Sequence, residues 1–174
     1  GAFIVTGHNV FRILRNEVII LSVLGLVSVR VRNGGFSALG FQRPASWWRI
    51  VQIALVAAAV RILLGEYVID PLTEQVWPPA KAPAGGGGVT GNIQMALLAL
   101  LIVWTFGAFG EEIAYRGYLL TRAADLGKGS PAAYWIGVVV VSVLFGYGHY
   151  FKGPAGIVDS GVAGLILGAA YLLA

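Results

Sequence analysis

Apolar runs of bilayer length recur along this chain, and they restrict its fold more than any other feature. A segment stripped of water must satisfy its own backbone hydrogen bonds, which a helix does within itself. The stretches Trp47 to Ile69, Ile93 to about Ala124, Pro131 to Tyr150 and Ala155 to Ala174 each reach the roughly 20 residues that one crossing needs. A shorter run, Val18 to Val29, is bracketed by Arg12, Arg15 and Glu17 and by Arg30 and Arg32. It spans only if Phe11 to Leu14 extend it while the arginines snorkel toward headgroups. The expected fold is therefore all-α, a polytopic transmembrane helical bundle of about five helices in one domain over residues 1–174. Composition agrees: 57% of residues are hydrophobic and only 11% charged, against roughly 25% charged in soluble domains.

Local signals place the boundaries. Asn33-Gly34-Gly35 breaks a helix, and Gly40-Phe41-Gln42-Arg43-Pro44 reads as a polar linker. Ser46, Thr90 or Asn92, and Ser130 before Pro131 are candidate N-caps. Trp47 and Trp48 suit the headgroup level. Pro71 is expected to end the second long helix, and the Pro/Gly-rich segment 78–91, with Gly85 to Gly88, to form a flexible loop. Arg61 and Glu66 are expected to serve structure, as an ion pair or by snorkelling. The chain begins at Gly1 and stops within an apolar run, so it reads as truncated at both ends. Loop arginines place the segment Arg30 to Arg49 on the cytoplasmic side.

Cysteine is absent, which excludes disulfides, thiolate zinc sites and a cysteine nucleophile. The net charge of +4 is scattered, which suits membrane lipids as partners and argues against nucleic acid.

Against that background Phe109-Gly110-Glu111-Glu112-Ile113-Ala114-Tyr115-Arg116 is costly, because carboxylates inside an apolar span mark function by default. On a helix Glu112 and Arg116 are i,i+4 neighbours, while Glu111 is turned toward Tyr115. The acids thus divide into a brace, Glu112 with Arg116, and a candidate base, Glu111. A bend or unwinding near Gly107 and Gly110 would expose backbone beside them. The next span carries Phe145-Gly146-Tyr147-Gly148-His149. Counted from the turn near Lys128 at 1.5 Å per residue, Glu111 lies roughly 25 Å and His149 roughly 30 Å along the two arms. A carboxylate and an imidazole at matching depth can polarise a water for general-base hydrolysis, with Phe145 packed behind the histidine or against substrate.

Other intramembrane hydrolase patterns are missing. There is no His-Glu-x-x-His, Ser160 lacks the glycine two residues before it that rhomboids carry, and no Gly-x-Gly-Asp occurs. Glu111-Glu112-x-x-x-Arg116 and Phe145-x-x-x-His149, followed by the helix carrying Gly164-x-x-x-Gly168, resemble the motifs of the CPBP family, the CAAX proteases and bacteriocin-processing or immunity proteins. The resemblance covers about Phe106 to Ala174. It implies a glutamate-dependent intramembrane endopeptidase in which Glu111 and His149 activate water and Glu112 and Arg116 complete the site, with Tyr115 and Phe145 as supporting residues; one histidine and two carboxylates could bind a divalent ion, but a lasting zinc site normally has three or more well-placed ligands, so neither metal nor cofactor is expected. It implies a peptide or protein substrate, lipidated or not, and a place in the bacterial cell membrane. The family's later His-x-x-x-Asn motif has no counterpart here; His8-Asn9 lies at the wrong end with the wrong spacing. The chain as given is therefore expected to be inactive or impaired. A second reading is a non-enzymatic immunity or scaffold protein that uses the same buried polar network, and a third is a proton-relaying transporter fragment.

Overall fold

A computed structural model describes residues 1–14, 16–78 and 89–174. Among these the chain is 81% helical, without strands. The helices are α1 (Ala2–Asn9), α2 (Glu17–Asn33), α3 (Trp47–Val76), α4 (Ile93–Asp125), α5 (Pro131–Gly148) and α6 (Gly153–Leu173). Short 3₁₀ turns occupy Ser37–Leu39 and Tyr150–Lys152. Four helices, α3 to α6, are long and apolar enough to cross a membrane. The run expected as a further span forms α2, whose 17 residues carry Glu17, Arg30 and Arg32. Most of the 78–91 loop lies outside the described residues.

The starts of the helices follow from side chains that accept orphaned backbone N–H groups. Asn16 Oδ1 accepts from Ile19 N (3.1 Å), Ser46 Oγ from Arg49 N (3.3 Å), Asn92 Oδ1 from Met95 N (3.1 Å) and Ser130 Oγ from Ala133 N (3.2 Å). Gly34 ends α2 at φ +73°, where a side chain would be strained.

The expectation that Pro71 ends its helix is corrected, for α3 runs on to Val76. A π-helical turn at Gly65–Ile69 precedes the proline, and the Asp70 N–H bonds to the Gly65 carbonyl five residues back. The wider turn makes room for a ring that would otherwise press on the preceding turn. Arg61 does form a structural ion pair, but with Asp159 of α6 at 2.5 Å, while Glu66 is exposed.

Packing of α5 on α6 rests on missing Cβ atoms. A Cβ on Gly164 would stand 3.1 Å from Ser142, and one on Gly168 2.8 Å from Val138, so the small-xxx-small stripe lets the two backbones meet. On its other side α4 meets α2. The core joins Val5 of α1, Leu21 of α2, Ala114, Tyr115 and Leu120 of α4, and Phe145 of α5. Large apolar side chains of α3 and of the first half of α4 are exposed, as lipid-facing surfaces are. The chain is an integral membrane protein.

Candidate functional site

The polar residues of α4 stand where that helix departs from α geometry. Two π-helical stretches, Val103–Gly110 and Glu112–Leu120, meet at Glu111. Such widening inside α-helices is frequent at functional sites; the helix stays continuous from Ile93 to Asp125, so a wider helix stands where a bend or unwinding near Gly107 and Gly110 was expected. One backbone group beside the carboxylates is bonded outside its own helix: Ser22 Oγ of α2 donates to the Gly110 carbonyl at 3.2 Å.

Five of the six candidate residues form one connected cluster. Arg116 Nη1 is 3.3 Å from Glu112 Oε1, and the Glu112 side chain remains 47% exposed while that of Arg116 is 3% exposed. The guanidinium lies over the Phe145 ring, with Cζ 4.5 Å from the centroid. That ring meets Tyr115 edge-on at 5.0 Å and His149 at 4.8 Å between centroids. Phe145 is thus the hub that links the α4 motif to the histidine just past the end of α5. Arg116 Nη1 and Nη2 are buried without hydrogen-bond partners among the described residues; the Glu112 charge and the electron-rich face of Phe145 offset their desolvation in part. A small cavity beside them, lined by Arg116, Ser142 and Gly164 among others, has room for about 10 Å³ of water centres, about one molecule.

His149 lies between the α5 and α6 spans. Its Nδ1 is 2.9 Å from the Phe145 carbonyl. A carbonyl only accepts, so Nδ1 carries the proton, and in the neutral ring Nε2 keeps its lone pair. Burial pushes the imidazole below its ordinary range, while the Phe145 carbonyl and the charges of Glu17 and Asp159 oppose that shift. Phe151 stacks on the ring at 6.0 Å.

Glu111 is half-buried and makes no hydrogen bond or ion pair among the described residues. It lies in the field of Arg116, Glu112, Glu17 and Lys152. The expected facing of Glu111 and His149 is not realised as a direct contact, and Tyr115 packs on Phe145. Among the described residues no group of three or more His, Asp or Glu side chains is arranged to hold a metal ion.

Residues 93–174 match the sequence model of the family described as Type II CAAX prenyl endopeptidase Rce1-like. Over that stretch the chain is similar to that family. The matched segment contains α4, α5 and α6, and therefore both motifs on which the CPBP resemblance rests. Residues 1–92 lie outside it. No curated protein and no solved structure matches the chain.

The sequence reading missed two buried polar residues close to the Rce1-like segment. Glu17 is 7% and Asn9 7% exposed, and they are bonded to each other. Glu17 follows the Asn16 cap, so its sequence context signals only an acid at a helix N-terminus.

Proposed function

We propose that the protein is an intramembrane endopeptidase of the CAAX-protease type that hydrolyses a peptide bond with water activated by Glu111 and His149. The observation that carries this reading is the cluster Glu112–Arg116–Phe145–His149, which joins two motifs from separate spans into one unit. In the reaction Glu111 takes a proton from a water molecule as its oxygen attacks the scissile carbonyl. The C–N bond then breaks, and the proton passes to the leaving amine, giving a carboxylate and a new amino terminus. The lone pair on His149 Nε2 holds the water or takes up the proton in transit. Arg116, with Glu112, sets the position of Phe145 and through it the imidazole. The substrate is a peptide or protein at the membrane surface, with a prenylated chain end as the class that the family's description suggests, and the setting is a bacterial cell membrane.

The test is cleavage of a fluorogenic prenylated CAAX peptide by the full-length protein in proteoliposomes. Because the two acids and one histidine of the proposed centre are not gathered, among the described residues, into the three or more well-placed ligands usual for lasting zinc, cleavage is expected to survive 1,10-phenanthroline and EDTA. Loss on chelation, restored by zinc, would overturn the metal-independent mechanism. Stoichiometric binding without cleavage would favour the immunity or scaffold reading instead.

A further inference from the structure

The amino-terminal part of the chain supplies a further acid to the same neighbourhood. Glu17 Oε1 accepts from Asn9 Nδ2 at 3.0 Å, and Glu17 Oε2 is 3.0 Å from His8 Nε2. His8 is fixed in turn, since its Nδ1 lies 2.8 Å from the Leu14 carbonyl. The clamp aims the carboxylate at the end of α5. A Cβ placed on Gly148 would stand 3.6 Å from Glu17 Oε1 and 2.8 Å from Tyr115 Oη. Gly148 is therefore what lets the phenol approach the backbone next to His149, and the acid lies at contact distance from the same position.

We propose that Glu17, held by Asn9 and His8 beside Gly148, is a positioning residue of the reaction centre that fixes the charge environment of His149. This inference rests on the hydrolytic reading above and adds to it a residue outside the Rce1-like match. The charged and titratable groups around His149 are Glu17 from α2, backed by His8 of α1; Tyr115 and Arg116 from α4, through Phe145; Lys152 from the following turn; and Asp159 from α6. Of these, Glu17 and Asp159 favour the protonated ring, and Asp159 is already paired with Arg61. With the negative charge of Glu17 removed, the ring is a weaker base and stays neutral to lower pH.

Glu17→Gln keeps the size of the side chain and an acceptor for Asn9. In the proteoliposome assay it is expected to lower kcat about three- to tenfold, to leave KM within about twofold, and to move the acid limb of the kcat profile to lower pH. A role in packing alone would not move that limb. Should Glu17→Gln fail to fold, Glu17→Asp serves, since it keeps the charge but withdraws it from His149; an intermediate kcat with a smaller shift in the same direction is expected. Wild-type kcat and an unmoved limb, or reduced kcat with an unmoved limb, would overturn the proposal. Glu111→Gln in the same assay separates the two claims. Cleavage that survives it defeats the hydrolytic reading, whereas its loss beside an unaffected Glu17→Gln defeats only the role of Glu17.

Discussion

Glu111→Gln in the full-length protein is expected to lower peptide cleavage at least about 100-fold, the scale on which a positioned general base acts. Protein level and melting temperature in detergent should remain those of the wild type. The separation follows from where this side chain stands. Glu111 has no hydrogen bond or ion pair among the described residues, so the amide leaves nothing newly unpaired. It also keeps the volume at the junction of the two π-helical stretches. What the substitution removes is the carboxylate proposed to take the proton from water. A fall in activity that tracked a fall in melting temperature would assign Glu111 to the architecture instead.

Arg116→Ala should act through stability. The guanidinium is 2% exposed, one of the most deeply buried charged groups described, and it fills the space between Glu112 and the face of Phe145. Truncation leaves a cavity, removes the cation from the aromatic face and leaves Glu112 without its partner. Together these cost about 3 kcal/mol. Denaturant titration in detergent micelles would read the change, and cleavage should fall with it because Phe145 carries His149. Arg116→Lys tests the geometry separately: it keeps the charge but cannot lay a planar fork over the ring, so an intermediate loss is expected. Unchanged stability in Arg116→Ala would mean that the pair merely neutralises itself.

These two residues also show how far the sequence reaches. The pairing of Glu112 with Arg116 is legible because i,i+4 neighbours meet on any helix, and the Ser46 and Ser130 caps are legible because they bond three residues ahead. The histidine could be assigned by counting depth from the turn, and its dependence on Phe145 is again a bond to i−4. Longer-range features were hidden. That Phe145 holds Arg116 as well as His149 depends on the register of α5 against α4, which no local spacing encodes. Pro71 signals a helix end in sequence, yet a π turn ahead of it carries the helix through. Glu17 and His8 lie nine residues apart, and both lie about a hundred residues or more from Tyr115 and Gly148, so only the folding of α1 and α2 onto the α4–α5 pair reveals them as neighbours of the site. Arg61 likewise finds Asp159, 98 residues away, rather than the nearby Glu66.

If a histidine held against α4 through Phe145 takes part in hydrolysis, His149→Ala abolishes cleavage while the fold survives. Wild-type and variant full-length protein, matched for fold by thermal melting, would be incubated with the same prenylated peptide, with the products identified by mass spectrometry. The account predicts one internal peptide bond cut by the wild type and a loss of at least about 100-fold in the variant. Cleavage at the wild-type rate by folded His149→Ala would contradict it.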